Sequence, residues 1–233
     1  MKNILKRIIL GYKATSESYI AHLRKIGMSI GEDVILFRPF NTTIDEQNPH
    51  MISIGSHVMI TGPVTILSHD YSWSVLKRKY GDILGNQRRT IIGDNVFIGW
   101  GATILGGSVI EDNVVIGAGS VVSGILESDM VYAGNPARKV LTLEEFYKKR
   151  KKNQLKEAVD FVNRYNNVFG KMPEEKFLKE YFFLFSNSSK LCPEFEFQMR
   201  LMGNRDKSIV ALEKSRQFEG YEEFIGYCNS HKE

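Results

Sequence analysis

The chain has 233 residues, 42% of them hydrophobic, and a formal net charge of +4 from 31 Lys and Arg against 27 Asp and Glu. That length holds one large or two small domains with a buried core, and so mild a positive charge gives no argument for nucleic acid as a partner. No run of about 18 apolar residues occurs, which excludes a membrane-spanning helix on this reading.

Met1 to Leu10 carries three Lys or Arg among five aliphatic residues, without the long apolar core or small-residue cleavage site of a secretory signal. Residues 1–28 read as a helical segment. Thr15 or Ser16 can cap a helix with Glu17 in its first turn, and Gly27 can close it. Tyr19, Ile20, Leu23 and Ile26 fall on one face, which would cover the end of whatever follows. His22, on the same helix, reads as a surface or satisfied-core residue.

From Ile30 the chain shows a six-residue period. Ile30-Gly31 and Leu36 start it, Thr42 and Asn48 match poorly, and Ile54-Gly55, Ile60 and Ile66 match well. The register is therefore predicted to hold from 30 to 66 around one irregular coil at 41–50. Ile66 to Ile92 is 26 residues, not a multiple of six, so something leaves the scaffold there. The segment 68–90 carries Tyr71, Trp73, Tyr80, Lys77, Arg78, Lys79, Arg88 and Arg89 and reads as a protruding, functional loop.

Ile92, Ile98, Ile104, Ile110, Ile116 and Val122 then repeat without slippage, with Val96, Ala102, Ser108, Val114 and Ser120 four places on. A helix repeats at 3.6 and a strand at 2, so a period of six means a short straight segment, a turn and another segment. Such units stack into a parallel β-helix, here over 29–140, with Gly93-Asp94-Asn95 and Glu111-Asp112-Asn113 supplying left-handed corner backbone. Three hexapeptides make a coil, so 30–67 and 92–126 supply about two coils each. Solenoid ends need caps, for which the N-terminal helices and the C-terminal segment are the candidates.

Residues 141–233 read as a helical extension. Thr142-Leu-Glu-Glu145 is a capping box opening a helix up to Asn166-Asn167 and Gly170. Pro173 opens a second helix through Phe185, and Pro193–Met202 and Tyr221–Tyr227 make two more. Phe177, Tyr181, Phe182, Phe183, Phe185, Phe195 and Phe197 read as their core. Lys148, Lys149, Arg150, Lys151, Lys152 and Lys156 read as a solvated helix face, the alternative being a contact with an anionic glycan or a membrane surface. Cys192 and Cys228 have no CxxC spacing and read as reduced, buried thiols of a cytoplasmic protein.

The repeat at Ile92–Ser123, the terminator Ala133-Gly134-Asn135-Pro136-Ala137-Arg138 and Ile66-Leu-Ser-His-Asp70 together resemble the left-handed β-helix, hexapeptide-repeat acyltransferases, including the galactoside and maltose acetyltransferases. The resemblance covers roughly residues 20–140. It implies a left-handed prism, a homotrimer with its cleft between neighbouring subunits, acetyl-CoA as co-substrate and no metal. His69, by its Ser68-His69-Asp70 motif, takes the place of the family's general base, and Asp70 stays unassigned. An imidazole, which ordinarily titrates near pH 6.5, is mostly neutral in a cell and available as a base.

The family's coenzyme positions fall on Trp100, Ala118, Ser123, Gly124 and Arg138, the last as a phosphate partner. Trp100 stands where a small residue is usual, and Ser123-Gly124 where Thr-Lys is frequent. The resemblance thus implies acetylation of a sugar hydroxyl or amine, with surface-polysaccharide sugars as preferred acceptors. The alternatives are an acetyltransferase for a non-sugar small molecule and a non-catalytic trimeric scaffold. A zinc-dependent γ-type carbonic anhydrase would need three converging histidines, and His50, His57 and His69 lack the spacing.

Overall fold

A computed structural model describes residues 9–231, so the expectations for residues 1–8 lie outside the described residues. The chain divides into two compact units, 1–146 and 147–233.

The first unit begins with helix α1 (Ser16–Lys25), set by a capping box in which the Thr15 side chain accepts from Ser18 N–H and the Ser18 side chain returns to the Thr15 backbone. Tyr19, Ile20 and Leu23 of α1 are buried in the same core as the repeats that follow. The Leu36 N–H donates to Ser16 Oγ at 2.9 Å, which ties the helix to the first coil.

The repeats form three parallel sheets. The first face stacks β1 (Ser29–Ile30), β4 (Ile52–Ile54), β9 (Thr90–Ile92), β12 (Val109–Ile110) and β15 (Ile125–Leu126). The second stacks β2 (Ile35–Leu36), β5 (Met59–Ile60), β10 (Phe97–Ile98), β13 (Val115–Ile116) and β16 (Met130–Ala133), and β17 (Arg138–Thr142) adds antiparallel to β16. The third stacks β3 (Thr43–Ile44), β6 (Thr65–Ile66), β11 (Thr103–Ile104) and β14 (Val121–Val122). The last residue of each two-residue strand points inward, and Leu36, Ile44, Ile60, Ile66, Ile98, Ile104, Ile110, Ile116 and Val122 are all buried. Four three-sided coils and two sides of a fifth result.

The corner between the first and second faces repeats one backbone solution. Asp33, His57, Asn95, Asn113 and Asp129 all take φ between 53° and 60°, the left-handed region that short polar side chains tolerate. Carboxylates stitch this corner vertically: the Asp94 N–H donates to Asp112 Oδ1 at 2.7 Å and the Ser56 N–H to Asp94 Oδ1 at 2.6 Å.

The irregular coil expected at 41–50 is present, and its cause is two short turns. Ile44, not Thr42, takes the inward position, because a 3₁₀ turn at Pro39–Asn41 inserts two residues before β3. A second 3₁₀ turn at Pro49–Met51 lengthens the next connection, so that Ile54 falls back on a multiple of six from Ile30. The two insertions compensate, which is why the frame of six is recovered at Ile54 after the irregular coil.

The loop 68–90 is ordered as a small arm. β7 (His69–Asp70) pairs antiparallel with β8 (Asn86–Gln87), and between them lies α2 (Trp73–Tyr80), which ends at Gly81 with φ 92°.

In the region read as helical, α3 (Leu143–Phe169) opens where the capping box places it: Glu145 N–H donates to Thr142 Oγ1 at 3.2 Å, and Glu145 Oε2 accepts from the Thr142 N–H at 2.8 Å. The second unit then departs from expectation. Residues 173–185 make two 3₁₀ turns, Glu175–Leu178 and Phe182–Leu184, instead of one α-helix. Leu178, Phe182, Leu184 and Phe185 are all buried, and 182, 184 and 185 cannot share one face of an α-helix. Helix α4 (Pro193–Arg200) is followed by α5 (Arg205–Ser215), which the sequence reading missed; its only fully buried side chain is Leu212, so it has almost no apolar stripe to read. Helix α6 (Tyr221–Ser230) buries Phe224, Ile225 and Cys228. Among the described residues no helix is long and apolar enough to cross a membrane.

Candidate functional site: a histidine–carboxylate pair at a prism corner

The corner between the third and first faces stacks equivalent residues of successive coils. Backbone bonds from Asp45 N–H to Ile66 O and from Leu67 N–H to Ile104 O place Asp45, Leu67 and Leu105 one above another. Two coils put leucine there and one puts a carboxylate. Asp45 is buried nonetheless, and Ser68 and His69 close over it.

Asp45 is fully satisfied. Its Oδ1 accepts from Gln47 N–H at 3.0 Å, and its Oδ2 accepts from Ser68 N–H at 3.1 Å, from Ser68 Oγ at 2.5 Å and from His69 Nδ1 at 2.5 Å. Burial alone would raise this carboxyl, but the hydrogen bonds from Ser68, His69 and the Gln47 backbone outweigh it and hold the group below its ordinary range. An ionised carboxylate can only accept, so Nδ1 of His69 carries a proton, and in the neutral ring the lone pair then lies on Nε2. The His69 side chain is 12% exposed and its ring stands edge-on to Tyr71 at 5.0 Å between centroids. Tyr71 is itself tied back by its hydroxyl to Gln47 Oε1 at 2.6 Å.

Asp70, the neighbour left unassigned in sequence, faces away from the ring. Its carboxylate accepts from Ser72 N–H and from Asn86 Nδ2, and the Ser72 bonds lead in holding it below its ordinary value. The carboxylate that meets the ring is therefore 24 residues upstream, in the irregular coil around 41–50, where counting by sixes falls on the poorly matching Thr42. A polar residue where equivalent coils carry Leu67 and Leu105 is the signal that could have found it, once Ile44 is recognised as the inward residue.

The next residue, Glu46, is gripped by the N-terminal segment. It accepts from Tyr12 Oη at 3.2 Å, Tyr19 Oη at 3.2 Å and His22 Nε2 at 2.9 Å, and Tyr12 stacks on His22 at 3.7 Å. Burial first, and then the charge of Glu46, push the Tyr19 hydroxyl well above its usual value. So α1 both closes the core and fixes the segment that presents Asp45.

The five residues assigned to the coenzyme fall in two groups. Trp100 and Ala118 lie one coil apart at the corner between the second and third faces, where Gly119 N–H donates to Trp100 O at 2.7 Å. Gly99 permits that stacking, since a Cβ on it would lie 2.6 Å from Ala118 N. Trp100 is 48% exposed and carries the Arg38 guanidinium 4.7 Å from its ring centroid. The loop before Arg138 continues this corner, because Ala137 N–H donates to Val121 O and Val121 N–H to Gly134 O. Ser123 and Gly124 instead lie at the His69 corner, where Gly124 O accepts from Val109 N–H. The third face separates the groups, with Thr43, Thr65 and Thr103 as its outward ladder. No three His, Cys, Asp or Glu side chains converge as metal ligands among the described residues.

Residues 89–124 match the model of the bacterial transferase hexapeptide (six repeats). The chain is 36% identical over 144 residues to Protein CapG of Staphylococcus aureus, covering 62% of this chain and 80% of that protein. The chain belongs to the hexapeptide-repeat acyltransferase family. It is also 35% identical over 105 residues to the putative acetyltransferase YvoF of Bacillus subtilis, covering 45% of this chain and 56% of that one. Two solved acyltransferases are similar over part of the chain. One is a maltose O-acetyltransferase from Clostridium difficile 630, with 26% identity, 59% and 82% coverage and a TM-score of 0.41. The other is a galactoside acetyltransferase in complex with coenzyme A, with 24% identity, 57% and 73% coverage and a TM-score of 0.44.

Proposed function

We propose that the chain transfers an acetyl group from acetyl-CoA to a hydroxyl of a sugar, with His69 as general base. The observation that carries this is the hydrogen bond from His69 Nδ1 to a buried, ionised Asp45, which leaves Nε2 as the basic atom at a corner of a hexapeptide-repeat acyltransferase. In this reading Nε2 takes the acceptor hydroxyl proton as that oxygen attacks the thioester carbonyl. The tetrahedral adduct collapses with cleavage of the C–S bond, and the coenzyme thiolate takes the proton back from the imidazolium. Asp45 stabilises the imidazolium in between.

The placement of the other residues supports a shared site. A ligand touching both Ser123-Gly124 and Trp100, Ala118 or Arg138 must cross the third face or lie between two copies of the chain. The second arrangement agrees with a homotrimer of left-handed prisms, with coenzyme held along the cleft and Arg138 on a phosphate. Surface-polysaccharide precursors in the cytoplasm are the acceptor class this reading prefers.

The test is release of free coenzyme A thiol from acetyl-CoA with pooled bacterial glycans, wild type beside His69→Ala, with light scattering for the oligomer. Glycan-dependent release that falls at least about 100-fold in the variant is expected. Release unchanged by the substitution removes His69 from the chemistry, and absence of coenzyme binding favours a scaffold.

A further inference from the structure

Leu105-Gly106-Gly107 turns the prism corner directly beside Ser68-His69. A Cβ on Gly106 would lie 2.9 Å from the Ser68 carbonyl carbon and 3.3 Å from the His69 nitrogen. Gly107 has φ +90°, and a Cβ there would lie 3.1 Å from each of Cδ, Nε and Cζ of Arg88. The Arg88 side chain thus lies across bare Gly107 backbone, in the turn that touches His69. Its root is fixed as well: Arg88 N–H donates to Ser68 O at 2.8 Å, and the two residues before it pair with Asp70 and His69.

The guanidinium lies open to solvent on the arm. It makes no hydrogen bond or ion pair to any described residue. Asp70 feels its charge, but that carboxylate is engaged by Ser72 and Asn86. Arg89, Lys77, Arg78 and Lys79 on the same arm likewise form no ion pair among the described residues, while Asp70 and Asp82 are the only acids in 68–90. The arm therefore carries a planar cation without a hydrogen bond or ion pair among the described residues, lying against the turn that touches the His69 backbone, and an excess of positive charge.

We propose that Arg88, lying on the Gly106-Gly107 turn, forms an oxyanion subsite beside His69 that selects an acceptor sugar carrying a carboxylate or a phosphate. The proposal rests on the acetyl-transfer reading above. A guanidinium pairs with either anion through two parallel N–H···O bonds, which orient the sugar as well as hold it. The surrounding cations would raise the local concentration of such acceptors at low salt. A neutral sugar gains nothing from this feature, so the discrimination lies in the charge and not in the ring.

Two measurements test it. In the first, glucose, glucuronic acid, glucose 1-phosphate and coenzyme A are titrated separately into the full chain while the Nε–H resonance of Arg88 is followed by NMR. The signal is assigned by its loss in Arg88→Gln and followed also in His69→Ala. Both anionic sugars should move it, in wild type and in His69→Ala, and glucose should not; the larger effect says which anion the subsite prefers. A resonance unmoved by either anionic sugar overturns the proposal. So does one moved by coenzyme A alone, which would assign the cation to a coenzyme phosphate. In the second, thiol release from acetyl-CoA is compared for the same three sugars. Wild type should favour a charged sugar over glucose in kcat/KM, and Arg88→Gln should lower that preference about 10- to 100-fold with the KM for acetyl-CoA unchanged. Turnover with a preference that survives Arg88→Gln overturns the subsite and leaves acetyl transfer standing. Arg88 shifts without turnover on any acceptor would uphold the subsite and count against the transfer reading.

Discussion

Asp45→Asn keeps the shape of the corner and removes its charge. The natural carboxylate accepts four hydrogen bonds, three on Oδ2 from Ser68 N–H, Ser68 Oγ and His69 Nδ1, and one on Oδ1 from Gln47 N–H. If the amide oxygen keeps the Gln47 bond, the amide NH₂ faces Ser68 N–H and the ring. Nδ1 must then accept, the imidazole proton moves to Nε2, and the atom that should take the acceptor proton no longer can. The expected loss is about 10²- to 10⁴-fold in kcat, the range of a mis-set tautomer, with KM for acetyl-CoA little changed. Two donors facing each other at Ser68 cost about 1–3 kcal/mol of stability, roughly 2–12 °C in melting temperature for a chain of this size. The sign with pH follows from the depressed carboxyl. Its stabilisation is complete above its unfolded value of about 3.9 and is lost as pH falls through the lower folded value, so the wild-type advantage narrows below about pH 4. Thiol-release kinetics, circular dichroism and thermal melts between pH 3 and pH 7 decide it. An Asn variant that folds and keeps kcat within about threefold of wild type would refute Asp45 as the orienting group.

Glu46→Gln should loosen the grip of Tyr12, Tyr19 and His22, costing about 1–2 kcal/mol and raising amide exchange across Ser16–Lys25. Unchanged exchange in that helix would make the contacts incidental. Ile104→Ala, at a fully buried inward position, should cost about 2–5 kcal/mol. Ile125→Ala, on an outward strand position that is 68% exposed, should cost less than about 0.5 kcal/mol. Equal melting temperatures for the two variants would contradict the inward and outward assignment.

The six-residue period and the left-handed corner residues are local, and each was readable because one hexapeptide sets one strand and one turn; the capping box at Thr142 was readable because its two partners lie three residues apart. Ile92 to Val122 needed nothing beyond counting, and His69 stood out through its own three-residue motif. Tertiary structure decided what depends on residues distant in the chain. Two compensating insertions at Pro39–Asn41 and Pro49–Met51 hide Ile44 from any count by sixes, and with it the carboxylate one residue on. Helix α5 buries too little apolar surface to leave a stripe, and residues 182–185 bury too much for one helical face. That Asp45 rather than Asp70 meets the imidazole follows from stacking, which brings together residues 24 apart by backbone bonds between coils. A strand points neighbouring side chains to opposite faces, so the adjacent acid was the wrong one for the ring to meet.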